Sequence, residues 1–159
     1  MGTRARIALQ LPDKTIISAY QHWDGYPSKL GYQLCTWWRD PEKVEKGIRM
    51  GSASSWNFII GQKVDFDDCG APQNKVQNVY HHRDRNDPWE ECQYEVHKTE
   101  AELLDDGFSC CEEYVYLMKN GLWYYADDED HSDRFYPLWD RAINDHLEWL
   151  NRIKPQYPN

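Results

Sequence analysis

The chain has 159 residues, a formal charge of −9, 40% hydrophobic and 14% aromatic residues. That is enough for one domain with its own core and too apolar for a disordered chain. No run approaches the roughly 18 apolar residues of a membrane span. The charge is lopsided: residues 1–80 carry 10 Lys and Arg against 8 Asp and Glu, whereas residues 81–159 carry 8 against 19. An acidic half of this kind argues against direct binding to a nucleic-acid backbone, which needs clustered cations. It suits docking on a basic protein surface.

In chain order, residues 4–11 alternate, with Arg4 and Arg6 set against Ala5, Ile7 and Leu9. Pro12-Asp13-Lys14 is a turn, and with the β-branched run 15–21 it predicts an opening hairpin. The polar and aromatic segment Tyr20-Gln21-His22-Trp23-Asp24-Gly25-Tyr26-Pro27 follows. Gly25 and Pro27 interrupt regular structure there, and Ser28 is placed to cap the next helix. Leu30, Leu34, Trp37 and Trp38 recur at helical spacing over 28–39. Asp40-Pro41 restarts a helix, with Asp as N-cap and Pro in the first position, running to about Gly51.

The stretch 51–77 gives a weak reading, with Trp56 to Ile60 as a short helix or strand. Residues 76–83 and 92–97 read as strands. Thr99 and Glu102 form a capping box that opens a short helix ended by Gly107. Lys119-Asn120-Gly121 is the strongest hairpin signal in the chain, joining strands at 113–118 and 122–126. From 137 to 153, Trp139, Ala142, Ile143, His146, Trp149, Leu150 and Ile153 share one helical face. The expectation is an α+β fold in one domain, residues 1–159. It has an antiparallel sheet of about five or six strands packed by helices, closed by a long amphipathic C-terminal helix.

Three stretches resemble one family of small tailed-bacteriophage proteins: TRARIALQLPDKTIISAYQHWDGYPSKLGYQL from residue 3, YHHRDR at 80–85 and EYVYLMKNGLWYY at 113–125. Members begin with a strand pair, then a Tyr-x-His-Trp-Asp-Gly-Tyr segment, then a helix. The resemblance implies a phage origin and the cytoplasm of an infected bacterium, and it carries over no catalytic residue. The odd count of five cysteines without a C-x-x-C pair, and the lack of a charged-then-apolar leader in Met1–Gln10, agree with a reducing setting.

Two sets of residues stand out as candidate sites. His22, Trp23, Asp24, Tyr26, His82, Arg83 and Arg85 offer a small-ligand pocket, with the arginine pair clamping a phosphate and an aromatic ring stacking on a base. Adjacent His81 and His82 on a strand would face opposite ways, so one at most joins such a site. The acidic run Asp127, Asp128, Glu129, Asp130 and Asp133 offers a contact for a cationic partner. Cys110 and Cys111 read as small buried residues, and His146 as a satisfied core histidine. Ligand spacing for zinc and the glycine pattern of a calcium loop are both missing, so neither metal nor cofactor is expected. No catalytic motif is present. The expected function is a non-enzymatic binding protein that inhibits or redirects a host protein, such as a defence or transcription component, through an acidic, aromatic-bearing surface. The alternative is a pocket that sequesters or hydrolyses a nucleotide signal.

Overall fold

The computed structural model describes residues 2–64 and 73–153. Cys69 and part of the weakly read 51–77 stretch fall outside the described residues. One sheet organises the chain. Its strands are β1 (Ala5–Gln10), β2 (Ile16–Gln21), β3 (Ala53–Ser55), β4 (Val79–Tyr80), β5 (Glu95–His97), β6 (Tyr114–Lys119), β7 (Leu122–Asp127) and β8 (Tyr136–Pro137). The spatial order is β4-β3-β2-β1-β6-β7-β8, with β5 pairing the first half of β2.

Both hairpins form where the turn residues place them. Lys14 takes a positive φ between β1 and β2, and Asn120 and Gly121 do so between β6 and β7. The sheet is larger than expected and mixed rather than antiparallel, because β1 pairs β6 in parallel and β2 pairs β3 in parallel. The reason is topological. The chain reaches β6 through a helix lying across one face, and such a crossover returns a strand in the same direction. Nothing in a strand's own residues signals this.

The helices are α1 (Tyr32–Trp37), α2 (Pro41–Arg49), α3 (Gln73–Val76), α4 (His81–Arg85), α5 (Glu100–Ser109) and α6 (Leu138–Ile153). A single wider π-type turn, Pro27–Gly31, leads into α1, and no side chain caps it, so the expected Ser28 cap is not formed. Asp40 does cap α2, accepting from the Glu42 amide at 3.0 Å. Thr99 caps α5, accepting from the Glu102 amide at 3.1 Å, while Glu102 reaches back to the Lys98 amide at 2.9 Å. Gly107 does not end α5. It is buried inside the helix, where an added Cβ would sit 2.9 Å from Val115.

Residues 76–83 are not one strand. Gln77 makes a single bridge to Ile59, Val79–Tyr80 form β4, and the chain coils into α4 at His81, because the Asp84 carboxylate accepts from the Tyr80 amide at 2.8 Å and turns the backbone.

The two sheet faces are covered differently. Ala5, Ile7, Leu9, Ile17, Ala19, Tyr116 and Met118 pack with Leu30, Leu34, Trp38, Val44, Ile48, Trp56, Leu138 and Ala142, so α1, α2 and the start of α6 share one side. On the other side Ala8, Ile16, Val115, Leu117 and Ala126 pack against Leu103 and Leu104 of α5. No described helix is long and apolar enough to cross a membrane.

Candidate functional site

The segment after β2 is pinned from three directions. The Gln21 amide donates to the Trp23 carbonyl at 2.6 Å and accepts from the Trp56 amide at 3.0 Å. Asp24 takes a positive φ, and the Gly25 amide donates to the Thr3 carbonyl at 2.9 Å. A Cβ on Gly25 would lie 2.5 Å from that of Ala5, so only glycine permits this approach. Tyr116 Oη donates to the Gly25 carbonyl at 2.6 Å.

This geometry divides the predicted ligand set. His22 Nδ1 pairs with Tyr20 Oη at 2.8 Å and packs edge-on against exposed Trp23. Burial holds His22 below the ordinary imidazole range, and the charges of Arg4 and Arg85 add to that. Asp24 instead pairs with Lys29 at 3.0 Å, and Tyr26 faces a groove between α1 and α6. His82 is exposed against Trp89. Arg83 braces the backbone, donating to Asp84, to the Asn78 carbonyl and to the Gly61 carbonyl. A phosphate clamp by Arg83 and Arg85 would break those bonds. The structure sets His22 against Trp23, within reach of the Arg85 charge, and engages Asp24 with Lys29, Tyr26 with the groove, His82 with Trp89 and Arg83 with the backbone.

On the opposite side of that turn lies an aromatic surface. Tyr26, Tyr32, Trp37, Phe58, His146 and Trp149 line a cavity of about 540 Å³. His146 stacks on Tyr32 with 3.9 Å between ring centroids, and its Nδ1 lies 3.2 Å from the Ser28 carbonyl. The rest of α6 departs from expectation. Of its apolar residues only Leu138 and Ala142 are buried, while Trp139, Leu147, Trp149 and Leu150 are 40–50% exposed. The first turns of α6 cover the sheet, while the later turns meet the Pro27–Gly31 turn and α1 through His146 and Trp149 and hold Leu147 and Leu150 to solvent.

The acidic run abuts the start of this helix. Asp127 serves the fold: its carboxylate accepts from the amides of Glu129, Asp130 and His131 at 3.2, 3.0 and 2.9 Å, and pairs with Arg141 at 3.3 Å. Burial would raise it, but these donors together prevail and hold its carboxyl below the ordinary range. Asp128, Glu129, Asp130 and Asp133 are exposed.

One buried arrangement was not foreseen. Arg6, almost fully enclosed, donates to Glu112 Oε1 from Nε at 2.9 Å and Nη2 at 2.7 Å, and to Ser18 Oγ at 3.0 Å. Ser18 Oγ is 2.7 Å from His97 Nε2, and His97 Nδ1 is 2.7 Å from Asp106. Serine, imidazole and carboxylate in a row resemble a nucleophile with its base and orienting acid. Ser18, however, is wholly buried with Arg6 against its hydroxyl, so no substrate carbonyl reaches it. The arrangement holds strands together. Its only trace in the sequence is the spacing of Glu95 and His97, two apart on β5. Cys110 and Cys111, expected to be buried, are both exposed just past α5, Cys111 with a positive φ.

No protein family, curated protein or solved structure matches this chain.

Proposed function

We propose that this chain is a phage-encoded binding protein, not a catalyst, that inhibits or redirects a host protein in the bacterial cytoplasm. One observation carries the reading: α6 holds Trp139, Leu147, Trp149 and Leu150 at 40–50% exposure, and exposed carboxylates on the helix (Asp140, Glu148) and on the loop tied to it by the Asp127–Arg141 pair (Asp128, Glu129, Asp130, Asp133) supply a charged rim. Large aromatic rings in a charged rim are the composition of interface anchors. The rim also selects the occupant, since a second copy would bring like charge against like, whereas a cationic surface would be attracted. The phage origin rests on the resemblance of Thr3–Leu34, 80–85 and 113–125.

The test uses the full chain as bait on a bacterial lysate, then the purified partner. Replacing Asp128, Glu129, Asp130 and Asp133 by their amides should slow association about tenfold or more and flatten its salt dependence. Trp149→Ala should weaken binding by about 2 kcal/mol or more. A captured protein indifferent to both changes would remove this reading.

A second reading, a pocket that sequesters or hydrolyses a nucleotide signal, is favoured by the aromatic cavity of about 540 Å³, which is within the size range of small-molecule sites. A nucleotide panel that raises the melting temperature of the wild type but not of a Tyr32→Ala variant would select it.

A further inference from the structure

The end of the β6–β7 hairpin leaves a second cavity, separate from the aromatic groove. The turn at Asn120-Gly121 starts β7 at Leu122, but β8 pairs β7 only at Tyr124 and Tyr125. Leu122 and Trp123 therefore have no described strand on their outer side. Cys35 of α1, the link from α1 to α2, and Trp139 in the first turn of α6 close the space beside them into a cavity of about 490 Å³. No described residue lines both this cavity and the α1–α6 groove. Tyr32, which lines the groove, stacks on Trp139, which lines this cavity, with 6.3 Å between ring centroids.

The walls are apolar and tied to the core. Trp123 is buried and its Nε1 donates to the Trp38 carbonyl at 2.9 Å, while Trp38 Nε1 donates to the Asn57 carbonyl at 2.7 Å. These bonds fix the α1–α2 link, in which Arg39 follows Trp38. Leu122 and Trp139 are 62% and 48% exposed, so apolar surface is open to a ligand. Burial pushes the Cys35 thiol up to about 12, so it stays neutral and adds to the apolar wall.

Charge sets this cavity apart. In a chain of formal charge −9, no described residue lining it is acidic. Its one charged lining residue among those described is Arg39, whose exposed side chain makes no hydrogen bond, ion pair or ring contact with any described residue. Arg6, Arg49, Arg83 and Arg141, by contrast, each pair with a carboxylate.

We propose that this cavity binds a small amphipathic acid, whose aromatic or alkyl body lies against Leu122, Tyr124 and Trp139 and whose carboxylate pairs with Arg39. The volume is within the range of small-molecule sites, which combine mostly apolar walls with a few orienting polar groups. A guanidinium presents parallel N–H donors that match the two oxygens of a carboxylate. One such fork balances a single negative charge, whereas a phosphate dianion would be only half neutralised. The site goes beyond the interface and nucleotide readings and depends on neither.

The test is an NMR titration of the nitrogen-15-labelled full chain with 4-phenylbutyrate and with octanoate, each beside its uncharged amide. The Arg39 side-chain signal and the Trp123 and Trp139 indole N–H signals should shift and saturate. Each acid should bind about fivefold more tightly than its amide, an advantage that shrinks as salt is raised. Arg39→Gln, at an exposed position with no side-chain contact to lose, should remove that advantage and leave the affinity for the amides nearly unchanged. Leu122→Ser should weaken acid and amide alike, because both lose apolar contact. The assignment is overturned by no saturable binding of either acid below about 10 mM, by equal affinity for acid and amide, or by an acid preference that persists in Arg39→Gln. It is equally overturned by shifts confined to Tyr32, His146 and Trp149, which would place binding in the groove instead. Neither a partner protein nor a nucleotide enters the titration, so the interface and nucleotide readings stand or fall separately.

Discussion

Asp127 illustrates how one residue acts differently from what its neighbours in sequence suggest. Within a run of acids it is the one that turns inward, where three amides, His131 and Arg141 satisfy it. Its carboxyl is held below the ordinary range, so it contributes stability that is present above the unfolded-state value near 3.9 and is lost as pH falls through the folded value. Asp127→Asn should therefore cost about 1–3 kcal/mol in urea unfolding at pH 7, and the gap to wild type should close toward pH ~3. A gap that persists in acid would show that packing, not charge, fixes this position. Arg6 is the counterpart on the other sheet face. Its ion pair with Glu112 is enclosed, and burial still pushes Glu112 up against the attraction of the guanidinium. Such a pair is harmful to break from one side and weak as a source of net stability.

At the scale of elements, α6 divides into two halves. Leu138 and Ala142 close the core, and the turns beyond them hold Leu147 and Leu150 exposed. Leu150→Glu should change stability by no more than about 0.5 kcal/mol, as surface substitutions do. Leu34→Ala, at a wholly buried site of α1, should cost about 2–5 kcal/mol. Chemical denaturation compares them directly. A large loss from Leu150→Glu would mean that the outer half of α6 is packed within the chain and is not available to a partner. The turn after β2 is the opposite kind of element. Its aromatic residues looked like a ligand pocket, but its backbone is tied to Thr3, Trp56 and Tyr116, and this splits the side chains between two faces.

For the whole molecule, the parallel pairing of β1 with β6 joins segments more than a hundred residues apart at the centre of the sheet. Covered on both faces, β1, β2 and β6 should have the slowest amide exchange, opening only with global unfolding, whereas the last turns of α6 should exchange fastest among the helices longer than two turns. Fast exchange in β1 would contradict its central place. The charge asymmetry belongs to this scale too. The exposed carboxylates of 128–133 sit on a loop that the Asp127–Arg141 pair ties to α6.

The residues alone determined whatever rests on a few neighbouring positions. The hairpins at Lys14 and at Asn120-Gly121, the Asp40-Pro41 and Thr99 helix starts, and the amphipathic α6 were all legible. Each is decided by backbone conformations and hydrogen bonds within a handful of residues. Tertiary structure alone decided that the sheet is mixed, that His81–Arg85 coil into a helix, and that α6 buries Leu138 and Ala142 while Leu147 and Leu150 stay exposed. It also decided that Arg6, Ser18, His97, Asp106 and Glu112 meet from distant segments. Those outcomes depend on which surfaces cover one another across long loops, and two strands or side chains that meet that way carry no mark of it in their own local sequence.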